Sequence, residues 1–338
     1  MKKIIGFLMS GILIFSFFSC GEDLGESGIK IPELDTTSVT GRYVYNNYTV
    51  PYNIGVLYKW VHENSDLSKN LIAPQEAKVV PFMDMVKDIW LDAYLTQVDS
   101  SFLKWLTPKE MLLIGSASYN SDGTITQGTA DAGKKITLYE INKYEPNSAS
   151  APAQVLGYAH VIHHEFAHIM HQHIKFSDDY KTITPEYTSS WYLLSNDEAY
   201  AKGFITNYAM SSFEEDFVEM VSCMLTTTPE IWRARIDKAP NESARKALLN
   251  KESIMRDYMI NTWGINMESF QKLMTQKLKG SSYLEMPGTN ANSPLLKSAA
   301  LPDGKDPVFW NIVKNYSSLS CFSALSPSTW VIRSYHVK

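Results

Sequence analysis

The run His163-His164-Glu165-Phe166-Ala167-His168-Ile169-Met170-His171-Gln172-His173 decides how this chain is to be read. Within it, His164, Glu165 and His168 form a His-Glu-x-x-His pattern, while Phe166, Ala167, Ile169 and Met170 give the other faces apolar surface. On a helix, residues four apart differ by about 40° in direction and about 6 Å in rise, so the two imidazoles project side by side. Two imidazoles so placed can hold one Zn²⁺. Glu165 is displaced around the helix; it reaches a water beside the ion more easily than the ion itself, which is the position of a general base. With 8 histidines and 19 glutamates among 338 residues, chance supplies the pattern about 0.01 times.

A catalytic zinc needs a third protein ligand and an open position. His171 lies two helical turns past His164, about 10 Å along the axis, too far to share one ion. The metzincin pattern requires glycine and histidine where this chain has His171 and Ile174, which excludes that class. Gluzincins instead draw a glutamate from a second helix, and Phe213-Glu214-Glu215-Asp216-Phe217-Val218-Glu219-Met220-Val221-Ser222 resembles such a helix. Ser211 and Glu214 read as a capping box that opens it, and Glu215 and Glu219 then share a face. Glu215 is assigned to the metal. Glu219 is assigned to orienting a ligating histidine through its other ring nitrogen. Glu219 and Glu198 stand as alternatives for the third ligand. Glu214 and Asp216 fit a solvated acidic first turn that complements the helix dipole.

The other histidines take plainer readings. His160, one turn before His164, and His163, on a different face, read as packed or hydrogen-bonded residues. His171 and His173 read as cleft-rim or surface residues.

Composition sets the frame around this site. The chain is 44% hydrophobic and 20% charged, with 31 basic against 36 acidic side chains, the balance of an ordinary globular protein with no basic footprint for nucleic acid. Of its three cysteines, Cys223 falls on an apolar helical stretch and Cys321 in a C-terminal segment, and neither has a zinc-finger spacing. Cys20 follows Met1-Lys2-Lys3 and a 15-residue uncharged run from Ile4 to Phe18, shorter than the roughly 20 residues that span a bilayer. Two lysines, a short apolar core and a small residue before Cys20 describe a signal peptide over 1–19, and the break resembles the lipobox of bacterial lipoproteins. Phe17 departs from the aliphatic residue usual there. Acyl chains on Cys20 imply a membrane anchor without a spanning helix. Glu22 and Asp23 resemble the acidic export tag of surface-displayed lipoproteins, which implies the outer membrane and its outer face, with the periplasmic face as the alternative.

Along the mature chain, residues 20–40 read as a glycine-rich tether. Residues 41–280 read as the folded domain, and 281–338, with five prolines, carry no assignment. Within the domain, Tyr43–Tyr58 reads as extended structure with turns, and Ala77–Gln97 as a helix entered around Pro81. Met111–Ser118, Thr124–Thr129 and Lys135–Ile141 read as a small antiparallel sheet. Ala153–His173 reads as the metal-bearing helix. A long connection, 175–207, separates it from a helix over Ser212–Leu225, and two or three more helices follow between Pro229 and Lys279. A mixed half followed by a helical half argues α+β.

His-His-Glu-Phe-Ala-His and Glu-Asp-Phe-Val-Glu, behind a lipobox, resemble the zinc-binding metallopeptidases of Bacteroidota known as substrate import-associated zinc metallohydrolase lipoproteins. The likeness covers roughly residues 30–275. It implies a zincin-like, gluzincin fold, one zinc ion, a peptide or protein substrate, and outer-membrane nutrient importers as partners. In such folds the strand beside the active-site helix aligns an extended substrate, and Lys135–Ile141 is placed in sequence to be that edge strand. A second resemblance, to lethal-factor-like gluzincins, points to Tyr208, whose phenol stays protonated at neutral pH and can donate to a developing oxyanion. The expected activity is peptide-bond hydrolysis at the cell envelope. A zinc hydrolase of a glycan amide and a non-catalytic nutrient-binding accessory are the other two readings, and the intact Glu165 counts against the second.

Overall fold

Helix, not extended chain, occupies most of Tyr43–Tyr58. A computed structural model of the chain describes residues 36–59, 68–120, 125–131, 134–280 and 330–331. The signal segment, Cys20 and Cys321 lie outside these residues. Ser38 caps α1 (Val39–Val44) by accepting the N–H of Gly41, so ordered helix begins just before the boundary expected at residue 41. A π-helical turn, Tyr45–Thr49, leads into α2 (Val50–Tyr52). Val44, Tyr48 and Tyr52 are all buried, and their four-residue spacing is a helical stripe that the nearby Pro51 and Gly55 disguise as loop. Asn53, at φ 60°, ends the helix in the left-handed region and turns the chain into β1 (Gly55–Leu57).

The next helix starts at Glu76, earlier than the Pro81 entry expected. It runs as α3 (Glu76–Val86), a π segment Lys87–Leu91 and α4 (Asp92–Leu95). Pro81 sits inside α3 on its exposed face, where water can satisfy the carbonyl that proline leaves unpaired. After α5 (Ser100–Leu106), capped by Asp99, come β2 (Glu110–Leu113), β3 (Ser118–Tyr119), β4 (Ile125–Thr126), β5 (Gly128–Asp131) and β6 (Lys135–Leu138).

The main sheet has the order β1-β2-β6-β5 and is mixed: β1 with β2 and β2 with β6 run parallel, and β5 with β6 antiparallel. Antiparallel pairing throughout was the expectation; β1 and β2 pair parallel because α3 to α5 return the chain between them, and β2 and β6 pair parallel with β3 to β5 in between. The Lys135–Ile141 stretch is also corrected. Its β6 is an inner strand, and β5 is the edge that packs on the helix carrying the His-Glu-x-x-His pattern. That contact is tight: a Cβ on Gly128 would lie 2.3 Å from Val161 Cγ1, so only glycine fits. In a second sheet β4 pairs antiparallel with β3 and parallel with β7 (Trp330–Val331).

The helical half follows as α6 (Ala151–His173), α7 (Tyr180–Ile183), α8 (Asn196–Ala201), α9 (Phe213–Leu225), α10 (Pro229–Asp237), α11 (Glu242–Trp263) and α12 (Met267–Gly280). Every residue of α6 from Val155 to His171 is buried, which makes it the central helix, with polar groups inside it that must find partners. Its main neighbour is α9. Just past α6, Phe176 stacks on Phe217 of α9 with centroids 4.0 Å apart and planes 6° from parallel. Gly264 at φ 73° closes α11 and returns its N–H to Ile260 O. No helix among the described residues is long and apolar enough to cross a membrane.

Candidate metal centre

Two facing helices supply the site. His164 and His168, four apart on α6, stand with ring centroids 4.9 Å apart and no solvent exposure. Opposite them, Ser212 caps α9 by accepting the N–H of Glu215, which puts Glu215 in the first turn. The cap expected at Ser211 with Glu214 is thus shifted by one residue. Glu215 Oε2 lies 3.1 Å from His164 Nε2 and 3.2 Å from His168 Nε2.

These three atoms fit a zinc ion. A tetrahedron with bonds of about 2.0–2.1 Å has edges of about 3.3 Å, close to both observed separations. Glu215 is 7% exposed, where the two histidines are fully closed off. Burial raises the Glu215 carboxyl, but His168 and His164 outweigh it and hold the group well below its ordinary value, as a carboxylate.

Glu219, one turn along α9, approaches His164 from the other side. Its Oε1 is 2.9 Å from His164 Nδ1 and 3.0 Å from His160 Nε2, and its Oε2 accepts from Thr206 Oγ1 at 2.7 Å. His160, His164 and Glu219 form a second group close enough for an ion. Glu219 cannot, however, join Nε2 of His164 and of His168 on one ion, because it faces the opposite nitrogen of His164. Thr206 Oγ1 in turn accepts the N–H of Ala209 at 3.0 Å, which ties Glu219 to the turn that holds Tyr208. The Tyr208 ring packs 5.9 Å from that of His164 and, edge to face, 4.9 Å from Trp191. Burial, then the carboxylates of Glu215, Glu165 and Glu219, push its phenol well above the ordinary value, so it stays a hydrogen-bond donor.

Glu165 is fully buried, and no side chain hydrogen-bonds either carboxylate oxygen. Burial pushes its pKa up to about 8 against the pull of His164, while the backbone N–H of Ala130, on edge strand β5, exerts a weaker opposing pull. A buried carboxyl with no side-chain partner is costly unless something else occupies the site with it.

Glu198 lies elsewhere: it is exposed and closes a capping box with Ser195 at the start of α8. Asp216 is not solvated as expected. It is fully buried, with Lys251 Nζ of α11 at 2.6 Å and the Tyr187 hydroxyl donating to it at 3.0 Å. Lys251 also donates to Gly203 O at 2.8 Å and lies 4.0 Å from the ring centre of Phe204. His171 is buried, not on a rim: its Nε2 is 3.0 Å from His168 Nδ1. His163 packs between Tyr94 and Phe270, and burial lowers its pKa to about 3, so it is neutral. The Cys223 thiol, fully buried one turn beyond Glu219, touches His160. His160 is hydrogen-bonded, as its place one turn before His164 suggested, whereas the contact of His171 with His168 and the part of Thr206 were not foreseen; the signal for His171 was its three-residue spacing from His168, not its distance from His164.

Residues 35–268 match the family described as "Putative zinc-binding metallo-peptidase". This chain belongs to that family. The family match covers most of the stretch over which the sequence resemblance was read and makes the chain a zinc metallohydrolase of metallopeptidase type. A solved structure agrees. The crystal structure at 2.10 Å of a "putative zinc-binding metallo-peptidase" from Bacteroides caccae ATCC 43185 is similar with a TM-score of 0.61 and 32% identity, over 73% of this chain and 94% of that one. The α+β, zincin-like assignment holds with it. No curated protein matches the chain.

Proposed function

We propose that the chain hydrolyses peptide bonds with one zinc held by His164, His168 and Glu215 and with Glu165 as general base. The observation that carries this reading is the convergence of three ligand atoms from α6 and α9 beside a buried carboxyl that no other side chain satisfies. Zinc held there supplies Lewis acidity, polarising a scissile carbonyl and acidifying a water. Glu165 takes the proton of the attacking water and passes it to the leaving amine nitrogen. Tyr208, kept protonated, donates to the oxyanion that develops on the carbonyl oxygen. Glu219 holds His164 by its Nδ1, so that Nε2 keeps a lone pair for the metal. Strand β5, an edge of the main sheet among the described residues and packed beside α6, offers backbone groups to an extended substrate. The setting is the outer face of the outer membrane, through acyl chains on Cys20, beside a nutrient importer; Met1–Asp23 supports that placement.

The test is zinc content and hydrolysis measured together, on peptide and glycan-amide substrates, for the wild type, E165Q and E215A. E165Q is expected to keep one zinc per chain and to lose about 100- to 10,000-fold in hydrolysis. E215A is expected to lose zinc. Full zinc occupancy in E215A would refute the ligand set, and hydrolysis of glycan amides alone would refute the substrate class.

A further inference from the structure

His164 and His168 are held from behind in different ways. Nδ1 of His164 faces a carboxylate, Glu219, whereas Nδ1 of His168 faces another imidazole, that of His171, at 3.0 Å. A neutral imidazole carries one N–H and one lone pair. For His168 Nε2 to offer its lone pair on the side where Glu215 and His164 converge, its proton must sit on Nδ1. His171 Nε2 must then be the acceptor, with the His171 proton on Nδ1. The reverse arrangement, His171 donating, puts a proton on His168 Nε2 and closes the metal position.

We propose that His171 is a positioning residue for the metal, accepting the Nδ1–H of His168 and so fixing the tautomer and ring angle in which His168 binds zinc. The inference rests on the reading of His168 as a ligand. Three features support it. His171 lies three residues past His168 on the same helix, and the two rings meet at 59° with centroids 5.2 Å apart, so the contact is built into α6. The His171 ring is itself held in place: it is 6% exposed and meets the Phe176 ring edge-on at 5.6 Å, and Phe176 is stacked on Phe217 of α9. The end of α6, the acceptor and the helix that carries Glu215 are therefore packed as one unit. Finally, a neutral acceptor suits this position. Glu165, Glu215 and Glu219 already place three carboxyls in the buried site, and a fourth would add an anion with no further cation to offset it.

The proposal separates a hydrogen-bond acceptor from a space-filling ring. Zinc affinity of the metal-depleted protein is measured by competition with a chromophoric chelator for wild type, H168A, H171F and H171Q. Melting of each metal-depleted form and the visible spectrum of each Co²⁺-loaded form are recorded alongside. H171F, which fills the space but accepts nothing, is expected to weaken zinc binding about 10- to 100-fold and to shift the Co²⁺ bands. H171Q, whose amide oxygen accepts, is expected to stay within about threefold of wild type, with metal-depleted melting equal to that of H171F. Wild-type affinity in H171F alongside weakened binding in H168A overturns the proposal alone, as does an H171Q as weak as H171F. Wild-type affinity in H168A overturns the ligand reading beneath it. Should H171F fail to fold, H171M against H171Q gives the same comparison.

Discussion

Replacing Lys251 by methionine tests how the helix that carries Glu215 is locked into the fold. Lys251 Nζ and Asp216 Oδ2 are 2.6 Å apart with neither side chain exposed, and Asp216 adjoins Glu215 at the start of α9. Burial lowers the Lys251 pKa and raises that of Asp216, each toward the neutral form, although each partner pulls the other way. Desolvation therefore outweighs the pair's attraction, and the pair adds little net stability over apolar packing. Breaking it is another matter. K251M leaves the buried Asp216 with the Tyr187 and Tyr180 hydroxyls but without its cation, and removes the donor to Gly203 O, which is expected to cost about 3–5 kcal/mol. For a domain of this size that is a fall of about 6–20 °C in melting temperature. The double variant K251M/D216N removes the orphaned charge and is expected to recover most of the loss. The assay is urea unfolding at neutral pH, followed by far-ultraviolet circular dichroism, with zinc content as a companion measurement. A loss below about 1 kcal/mol in K251M, the size of an exposed pair, or a double variant no more stable than K251M, would refute the reasoning.

Two further outcomes follow from the geometry. G128A pushes a methyl group to 2.3 Å from Val161 Cγ1 and is expected to cost about 1–3 kcal/mol. V161A, which removes that methyl, should relieve part of the cost, and strict additivity of the two in denaturant unfolding would argue against the β5–α6 contact. Y208F is expected to lower kcat about 100- to 1,000-fold with zinc content and KM close to wild type. A rise in KM with kcat intact would assign the tyrosine to substrate binding instead.

The site was more legible in the sequence than the scaffold, and locality explains why. His164, Glu165 and His168 lie within two turns of one helix, so spacing alone sets their mutual geometry. Glu215 and Glu219 came from the same logic on α9, although the helix starts one residue later than Ser211 and Glu214 suggested. Strand order was hidden because pairing is decided between segments: nothing inside Lys135–Leu138 states that β2 and β5 will flank it. Asp216 was read as solvated because its partner, Lys251, is two helices away in sequence and only tertiary packing brings them together. Near Pro51 and Pro81, proline was given more power to interrupt helices than it has in the first turn of α2 or on the exposed face of α3. His171 was placed on the cleft rim because it was weighed against His164, whose distance forbids a shared ion, and not as a neighbour of His168.

The thiol of Cys223 gives the closed α6–α9 contact a use of its own. It is fully buried and touches His160, so a thiol-modifying reagent can reach it only when the two helices part. Alkylation of the Cys223 peptide, followed by mass spectrometry, thus times the opening of the cleft from inside, without any added label. A rate that falls when zinc is supplied would give the energy with which the ion holds the two helices shut.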